Sequence, residues 1–227
     1  MKILGIDTAT DVLGVAVTEG EELIAEYRSH IKRAHAERLV PTIERLLNDL
    51  NLTPRSLDGI AVSIGPGSFT GLRIGLAAVK GIAYAANLPV VGVNSLEVLA
   101  FQGKFWPHQI CPLIKAQGDE VYTAIYEFED GCLVKKKEEQ LIHLEHLQTI
   151  ITGKTLLLTS GIKNLDEFIT DVLKEYVHIA PKSDSMISGY SVAILGLSKF
   201  KKNETENIDL LVPFYLKDFK AKQKIGI

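Results

Sequence analysis

The order of predicted elements repeats along the chain, and this repeat constrains the fold more than any single motif does. Residues 2–94 predict three strands, a helix, a strand, a second helix and a strand, and residues 109–180 repeat that series more weakly. Alternating apolar residues between turn residues predict the strands, and helical spacing of apolar residues predicts the helices. A strand that is apolar on both faces, as over 57–65, is typical of a central parallel position. The sequence therefore predicts an α/β protein with two related lobes.

The boundary between the lobes is expected in the polar, turn-rich stretch Phe101–Gln109. An N-terminal lobe would cover 1–104, a smaller C-terminal lobe 105–189, and an extended tail 205–227. A closing helix, about 190–204, is expected to pack back on the first lobe, and its N-cap is expected at Ser183 or Asp184. The lysine-rich end of the tail predicts a mobile terminus and leaves a minor contact with RNA open.

Composition excludes several classes of protein. The formal net charge of the 227-residue chain is −3, which argues against a nucleic-acid binder driven by bulk electrostatics. No stretch is apolar enough to span a bilayer, so we expect no membrane partner. The chain enters its first strand almost at once, without a signal-peptide pattern, and its two cysteines lack disulfide or metal spacing. A cytoplasmic location is therefore expected.

Two short polar turns are candidates for an anion or nucleotide site. The first, "IDTAT", ends the first strand with a carboxylate and hydroxyls, and the second, "GPGSFTG", leads into a helix whose free N–H groups could receive an anion. Ser68 stands where an N-cap is expected. Pure turn chemistry explains the same residues equally well, because glycine, aspartate and threonine favour turns on conformational grounds. The candidate residues are Asp7, Thr8, Thr10, Gly65, Gly67 and Ser68.

The helix predicted after Ser68 is apolar nearly all round, which indicates burial on more than one side. Its interior glycines cost about 1 kcal/mol each relative to alanine, a cost that makes sense where another backbone comes close. We therefore predict a protein-binding stripe of Gly71, Gly75, Ala78, Ile82 and Ala85, with Gly75→Leu expected to block a partner without unfolding the lobe. Burial of the whole helix by its own sheet and first helix is the alternative. A neighbouring stripe is assigned to the lobe's own core: Leu72, Leu76, Val79 and Ala83.

Several motifs resemble the bacterial TsaB family. They are "GIDTAT", "HAERLVPTIERLL", "DGIAVSIGPGSFTGLRIGLAAVKGIA", "PVVGVNSLEVLA" and "EVYTAIYEF", in that order over about the first 130 residues. The resemblance implies the actin, sugar-kinase and Hsp70 fold, with two ribonuclease-H-like lobes whose mixed sheets are flanked by helices. One departure concerns the Asp-Ala-Arg that relatives carry before the "EVY" strand, because this chain has Lys115-Ala116-Gln117 there.

The resemblance also implies a role in making threonylcarbamoyladenosine on tRNAs that read codons starting with A. A TsaB-like protein would act as a non-catalytic scaffold that pairs with a larger catalytic paralogue, TsaD, joined by a small ATPase, TsaE. Contact with tRNA would then be indirect, through the complex. No cofactor would be required, although weak ATP or ADP binding at an interface of the complex is allowed. The apolar helix after Ser68 can also meet its own copy across a two-fold axis, so a homodimer of the chain alone is allowed.

The resemblance places the pairing surface on two helices, about Ala34–Leu50 and Ser68–Ala86. The predicted partner-binding residues are His35, Leu39, Ile43, Leu46, Phe69, Gly71, Leu72, Arg73, Gly75, Ala78 and Ile82.

No metal and no catalytic residue are predicted in this chain. The catalytic paralogue carries a metal-binding His-x-Glu-x-His where this sequence has Ser95, Glu97 and Leu99. Loss of both imidazoles removes most of the affinity for a transition metal. A small-molecule kinase of the same fold is the alternative, but its second phosphate turn would have to come from the short stretch Leu158–Lys163.

Overall fold

The computed structural model describes residues 1–30 and 34–216, and these form two five-stranded mixed sheets. The first sheet has the order β3-β2-β1-β4-β5, and its strands are β1 (Lys2–Asp7), β2 (Val12–Glu19), β3 (Glu22–His30), β4 (Gly59–Gly65) and β5 (Val90–Asn94). The second has the order β10-β9-β6-β7-β8, and its strands are β6 (Gln109–Lys115), β7 (Glu120–Glu129), β8 (Cys132–His143), β9 (Thr155–Ser160) and β10 (Val177–Ile179).

The two sheets share one topology. In each, the first three strands are antiparallel neighbours, and the fourth and fifth continue on the other side of the first strand in parallel. The repeat expected from the sequence is therefore confirmed, and the hairpins of the two sheets turn at Gly20 and Gly131.

The helices divide the core into three parts. They are α1 (His35–Asp49), α2 (Phe69–Ala86), α3 (Ser95–Phe101), α4 (Asp171–Lys174) and α5 (Gly189–Lys201). One cluster of buried side chains lies between the first sheet and the helices α1 and α2, and a second joins the two sheets around α3 and α5. The third lies beneath the short helical turns of the second half. The closing helix α5 packs on β1, β2 and β4, opposite α1 and α2.

The helices of the second half are shorter than the sequence predicts. The pattern over 165–176 predicts one helix, but a 3₁₀ turn at Leu165–Phe168 is separated from the single turn of α4. Thr170 causes the break, since its backbone is extended and its side chain caps α4 by accepting a bond from the Leu173 amide. The predicted helix over 143–151 is likewise a 3₁₀ helix, Leu144–Thr149.

The closing helix begins later than predicted. Its N-cap is Ser188, whose hydroxyl accepts a bond from the Ser191 amide, so the expectation of Ser183 or Asp184 was wrong. The reason is tertiary, because Ser185 is buried and its Oγ accepts a bond from the Thr159 amide in β9. That contact holds the chain in a turn, in which the amides of Asp184 and Ser185 donate to the Pro181 carbonyl, so the helix cannot begin at Ser183 or Asp184.

In the part of the chain that the structure describes, no helix combines the length and apolar character that crossing a membrane requires.

Candidate functional site

The turn after β1 and the turn before α2 meet at one end of the first sheet, as the sequence suggests. The Ser68 amide donates to the Ala9 carbonyl at 2.7 Å, and the Thr8 hydroxyl donates to the Gly71 carbonyl at 2.8 Å. Ser68 caps α2 as predicted, its Oγ accepting a bond from the Gly71 amide at 3.2 Å. The predicted anion-site residues thus lie together, but they bond to one another.

Little room is left for a phosphate at this junction. A Cβ atom added to Gly67 would lie 2.3 Å from the Ala9 carbonyl oxygen, so the turn already touches the backbone of the first strand's end. Thr10 uses its Oγ1 to accept a bond from the Val12 amide, and Gly65 has a positive φ of 117°, which glycine tolerates. Nucleotide binding by these residues stays a prediction for a complex, in which the turn could be arranged differently.

Asp7 is the unusual group at this junction, because its carboxyl is fully buried. One oxygen accepts a bond from the Ala9 amide at 3.0 Å, and Oδ2 has no hydrogen-bond partner among the described residues. Burial raises the pKa of Asp7 from 3.8 to about 6, and the nearby Ser63 hydroxyl and the Ala9 amide lower it only partly. A buried carboxylate repels a second anion, which argues against phosphate binding here in the isolated chain.

Because its folded pKa is raised, ionised Asp7 destabilises the fold. Between about pH 4 and pH 6 the unfolded carboxyl has lost its proton while the folded one keeps it, so stability falls as pH rises. We expect Asp7→Asn to remove a cost of about 3 kcal/mol that is fully present only above pH 6. Thermal melts of parent and variant should diverge progressively from pH 4 to pH 7. A constant difference across that range would contradict the assignment.

Gly71 and Gly75 of α2 pack inside the lobe, which corrects the predicted partner stripe. A Cβ on Gly71 would lie 2.1 Å from the Thr8 carbonyl oxygen, and one on Gly75 would lie 2.3 Å from the Thr8 Oγ1. The backbone that comes close to α2 is therefore the end of β1 in the same chain. The expectation that Gly75→Leu leaves the lobe folded was wrong for this reason.

The apolar residues proposed for partner binding on α1, and one on α2, are also core residues. They pack between α1, α2 and the first sheet, with at most 8% of each side chain exposed: Leu39, Ile43, Leu46 and Leu72. His35 is buried as well, and its Nε2 lies 3.4 Å from the Val12 carbonyl oxygen. Direct contact of these five side chains with another protein is not available in this fold. Of the remaining predicted residues, Arg73 is exposed, and Phe69, Ala78 and Ile82 are partly exposed.

The outward face of α2, its exposed side, carries Arg73 together with small, uncharged residues, of which the sequence reasoning selected only Ala85. Thr70, Ala77, Gly81 and Ala85 are exposed, and a Cβ on Gly81 would meet nothing within 4 Å. Val40 of α1, half exposed, is the large apolar residue exposed on the neighbouring helix. The sequence does contain a pattern for this exposed side, since these four residues recur at the helical intervals of seven, four and four.

The C-terminal segment 206–216 also lies beside α2, whereas the sequence predicts only an extended tail there. It begins with an antiparallel bridge between Glu206 and Val90 at the edge of the first sheet. Further on, the Phe214 amide donates to the Ile64 carbonyl at 2.7 Å, and Tyr215 contacts Phe69 and Arg73. The lysines at 217, 220, 222 and 224 lie outside the described residues.

Buried residues occupy the position where a metal-binding paralogue would carry its histidines. Ser95 and Leu99 are fully buried, and Glu97 is largely buried, which raises its pKa against the opposing charges of Lys135 and Lys199. Within residues 1–30 and 34–216, no three His, Cys, Asp or Glu side chains are grouped so that they could hold a metal.

The paired sheets and their shared topology place the chain in the fold class of actin-like ATPases and sugar kinases. A solved Pseudomonas aeruginosa protein with similarity to the peptidase YeaZ matches 95% of this chain and 99% of its own, with a TM-score of 0.81 at 24% identity. A hexokinase of the ROK type from Thermus thermophilus matches 88% of this chain with a TM-score of 0.52 at 12% identity. At these identities the structural likenesses establish the fold alone.

Sequence comparison identifies the family. The family model described as TsaD, tRNA N6-adenosine threonylcarbamoyltransferase, matches residues 22–225. The tRNA threonylcarbamoyladenosine biosynthesis protein TsaB of Bacillus subtilis is 34% identical over 229 residues, covering 99% of this chain and 97% of its own length. The chain belongs to the TsaB family within this wider group, as its motifs indicated.

Proposed function

We propose that the chain takes part in the biosynthesis of threonylcarbamoyladenosine in tRNA as a non-catalytic subunit that pairs with a TsaD-like paralogue. The observation that carries the pairing is the outward face of α2. An exposed helix face normally bears charged residues, but Ala77, Gly81 and Ala85 are exposed and small. Small side chains let a second helix approach closely, and these uncharged residues would cost little to desolvate.

The proposed partner has a related shape. The family model that matches residues 22–225 is named for the transferase itself, so the two proteins share sequence features over most of this chain. In two related chains, equivalent helices can pack against each other across an approximate two-fold axis, as they do between identical chains in a symmetric dimer. The same surface would allow this chain to form a homodimer when the partner is absent.

The absence of catalysis is proposed on the chemistry of the residues. Ser95 and Leu99 are buried and cannot replace two imidazole ligands, and Glu97 faces two ammonium groups instead of a metal. Asp7 lies in a junction closed by the chain's own backbone. Transfer of the threonylcarbamoyl group to adenosine would therefore be the task of the TsaD-like subunit.

Three further features of the complex are proposed. A TsaE-like ATPase would join the pair, tRNA would be held mainly by the complex, and ATP or ADP would bind weakly at an interface instead of serving as a required cofactor of this chain. The kinase alternative is not favoured. Its only candidate phosphate turn, Leu158–Lys163, contains one glycine, and a Cβ there would lie 3.3 Å from the Lys115 side chain.

Pairing is tested by mixing the purified chain with the TsaD-like protein of the same organism. Light scattering coupled to size-exclusion chromatography should show a species with the summed mass of one copy of each, and the homodimer should decrease as the heterodimer forms. Two unchanged peaks at micromolar concentrations of both proteins would contradict the proposal.

A further inference from the structure

The C-terminal segment 206–216 runs antiparallel along α2 and is fixed at both ends. Near the C-terminal end of the helix, the Tyr84 hydroxyl bonds to the Asp209 carboxylate and the Lys80 ammonium donates to the Asp209 carbonyl at 3.2 Å. Between the two ends Leu211 is buried in the core of the first lobe. Tyr215 is thereby placed beside the first turn of α2.

Tyr215 and Phe69 hold the side chain of Arg73 in one orientation. The guanidinium carbon lies 3.7 Å from the centroid of the Phe69 ring, and Nε donates to the Tyr215 hydroxyl at 3.0 Å. The two aromatic rings are 5.2 Å apart, so they form a continuous wall. A guanidinium fixed by a ring at its face and a hydroxyl at Nε has lost much of its conformational freedom before any ligand binds.

The two terminal nitrogens of the Arg73 guanidinium are the donors that another molecule can bind. Neither terminal nitrogen has a hydrogen bond, and no acidic side chain forms an ion pair with Arg73, among the residues that the structure describes. These nitrogens offer donors in the planar geometry that matches a carboxylate in a bidentate pair. The side chain is exposed, so a ligand from another molecule can reach it.

The surroundings of Arg73 favour a protein ligand over RNA. Several exposed large apolar side chains lie along the segment and its contact with α2: Tyr84, Leu210, Val212, Phe214 and Tyr215. An apolar patch with arginine and tyrosine is typical of a protein interface. Binding to a nucleic-acid backbone needs several cations together, whereas Lys80, the next cation along α2, is already bonded to Asp209.

We propose that Arg73 binds a carboxylate of the TsaD-like subunit and that the C-terminal segment 206–216 forms part of the same docking surface. The inference rests on the proposed pairing and gives it a chemical requirement. The partner must present an aspartate or glutamate beside an apolar surface. Tyr215 is a positioning residue in this arrangement, because it orients the guanidinium without contacting the carboxylate.

Isothermal titration of the full chain with the TsaD-like protein tests the proposal. Arg73→Met should raise the Kd about 30-fold, because it leaves a desolvated carboxylate unpaired. Arg73→Lys should raise it about tenfold, because lysine keeps the charge but cannot form the planar bidentate pair. Tyr215→Phe should have a smaller effect, about threefold. Arg55→Met, at an exposed arginine in the turn between α1 and β4, should bind like the parent, and all four variants should melt like the parent. The parent Kd should also rise more steeply with added NaCl than that of Arg73→Met.

The possible failures are distinguishable. If the parent binds the TsaD-like protein and both Arg73 variants bind equally well, the role of Arg73 is wrong while the pairing stands. If the parent does not bind, both proposals are overturned. Loss of tRNA binding without loss of partner affinity in Arg73→Met would identify RNA as the ligand and overturn the carboxylate.

Discussion

Gly75→Leu is expected to destabilise the first lobe severely, by about 4 kcal/mol. A Cβ at this position would lie 2.3 Å from the Thr8 Oγ1, which donates a buried hydrogen bond to the Gly71 carbonyl. Overpacking typically costs about 1–3 kcal/mol, and leaving a buried hydroxyl and carbonyl unpaired costs about as much again. For a chain of this size the melting temperature should fall by about 10 °C.

Gly81→Leu is the matched control, because it makes the same replacement two turns further along the same helix. A Cβ on Gly81 meets no atom within 4 Å, and leucine is a better helix former than glycine by about 0.8 kcal/mol. The melting temperature should therefore rise by about 2 °C. Equal effects of the two replacements in a thermal melt would contradict the orientation of α2.

Ala77→Glu is expected to abolish pairing with the TsaD-like protein while leaving the chain folded. Ala77 is exposed on the outward face of α2, and glutamate is tolerated in helices at a cost of a few tenths of a kcal/mol. In the proposed interface, however, the new carboxylate would be buried, and one turn after Arg73 it would compete with the partner's carboxylate for the guanidinium. The expected cost of about 3 kcal/mol corresponds to a loss of roughly a hundredfold in affinity.

Ala77→Gln separates the effect of charge from that of size. Its side chain is nearly as large as that of glutamate but neutral, so it should weaken pairing by about tenfold or less. Titration of both variants and a thermal melt of each give the comparison. If Ala77→Glu binds the TsaD-like protein with the parent's affinity, the outward face of α2 is not the pairing surface.

The sequence predicted those parts of the fold that depend on local chemistry. The repeated strand order followed from alternation and turn residues, and the Ser68 cap followed from its place between a glycine turn and an apolar helix. The start of α5 was missed because Ser185 is held by β9, a contact between distant parts of the chain. No local pattern distinguishes Ser183, Ser185 and Ser188 as caps.

The candidate site was predicted less well than the fold. A helix that is apolar nearly all round does not indicate which side faces the sheet, so Gly71 and Gly75 were placed on the outer side instead of against Thr8. The glycines do not reveal the orientation of the helix either, because glycine occurs both where two backbones come close and at open positions such as Gly81. The contact of Tyr215 with Arg73 joins residues 142 positions apart and left no periodic signal in the segment before it.

The central claim is that this chain makes no threonylcarbamoyladenosine by itself but enables the TsaD-like subunit to make it. The most direct measurement is the amount of modified adenosine in tRNA digests, by mass spectrometry, after incubation with the synthase, the TsaE-like and TsaD-like proteins, ATP, threonine and bicarbonate. Modification should require this chain, should be lost with Ala77→Glu, and should be absent when this chain replaces the TsaD-like protein. Equal modification with and without this chain would contradict the claim.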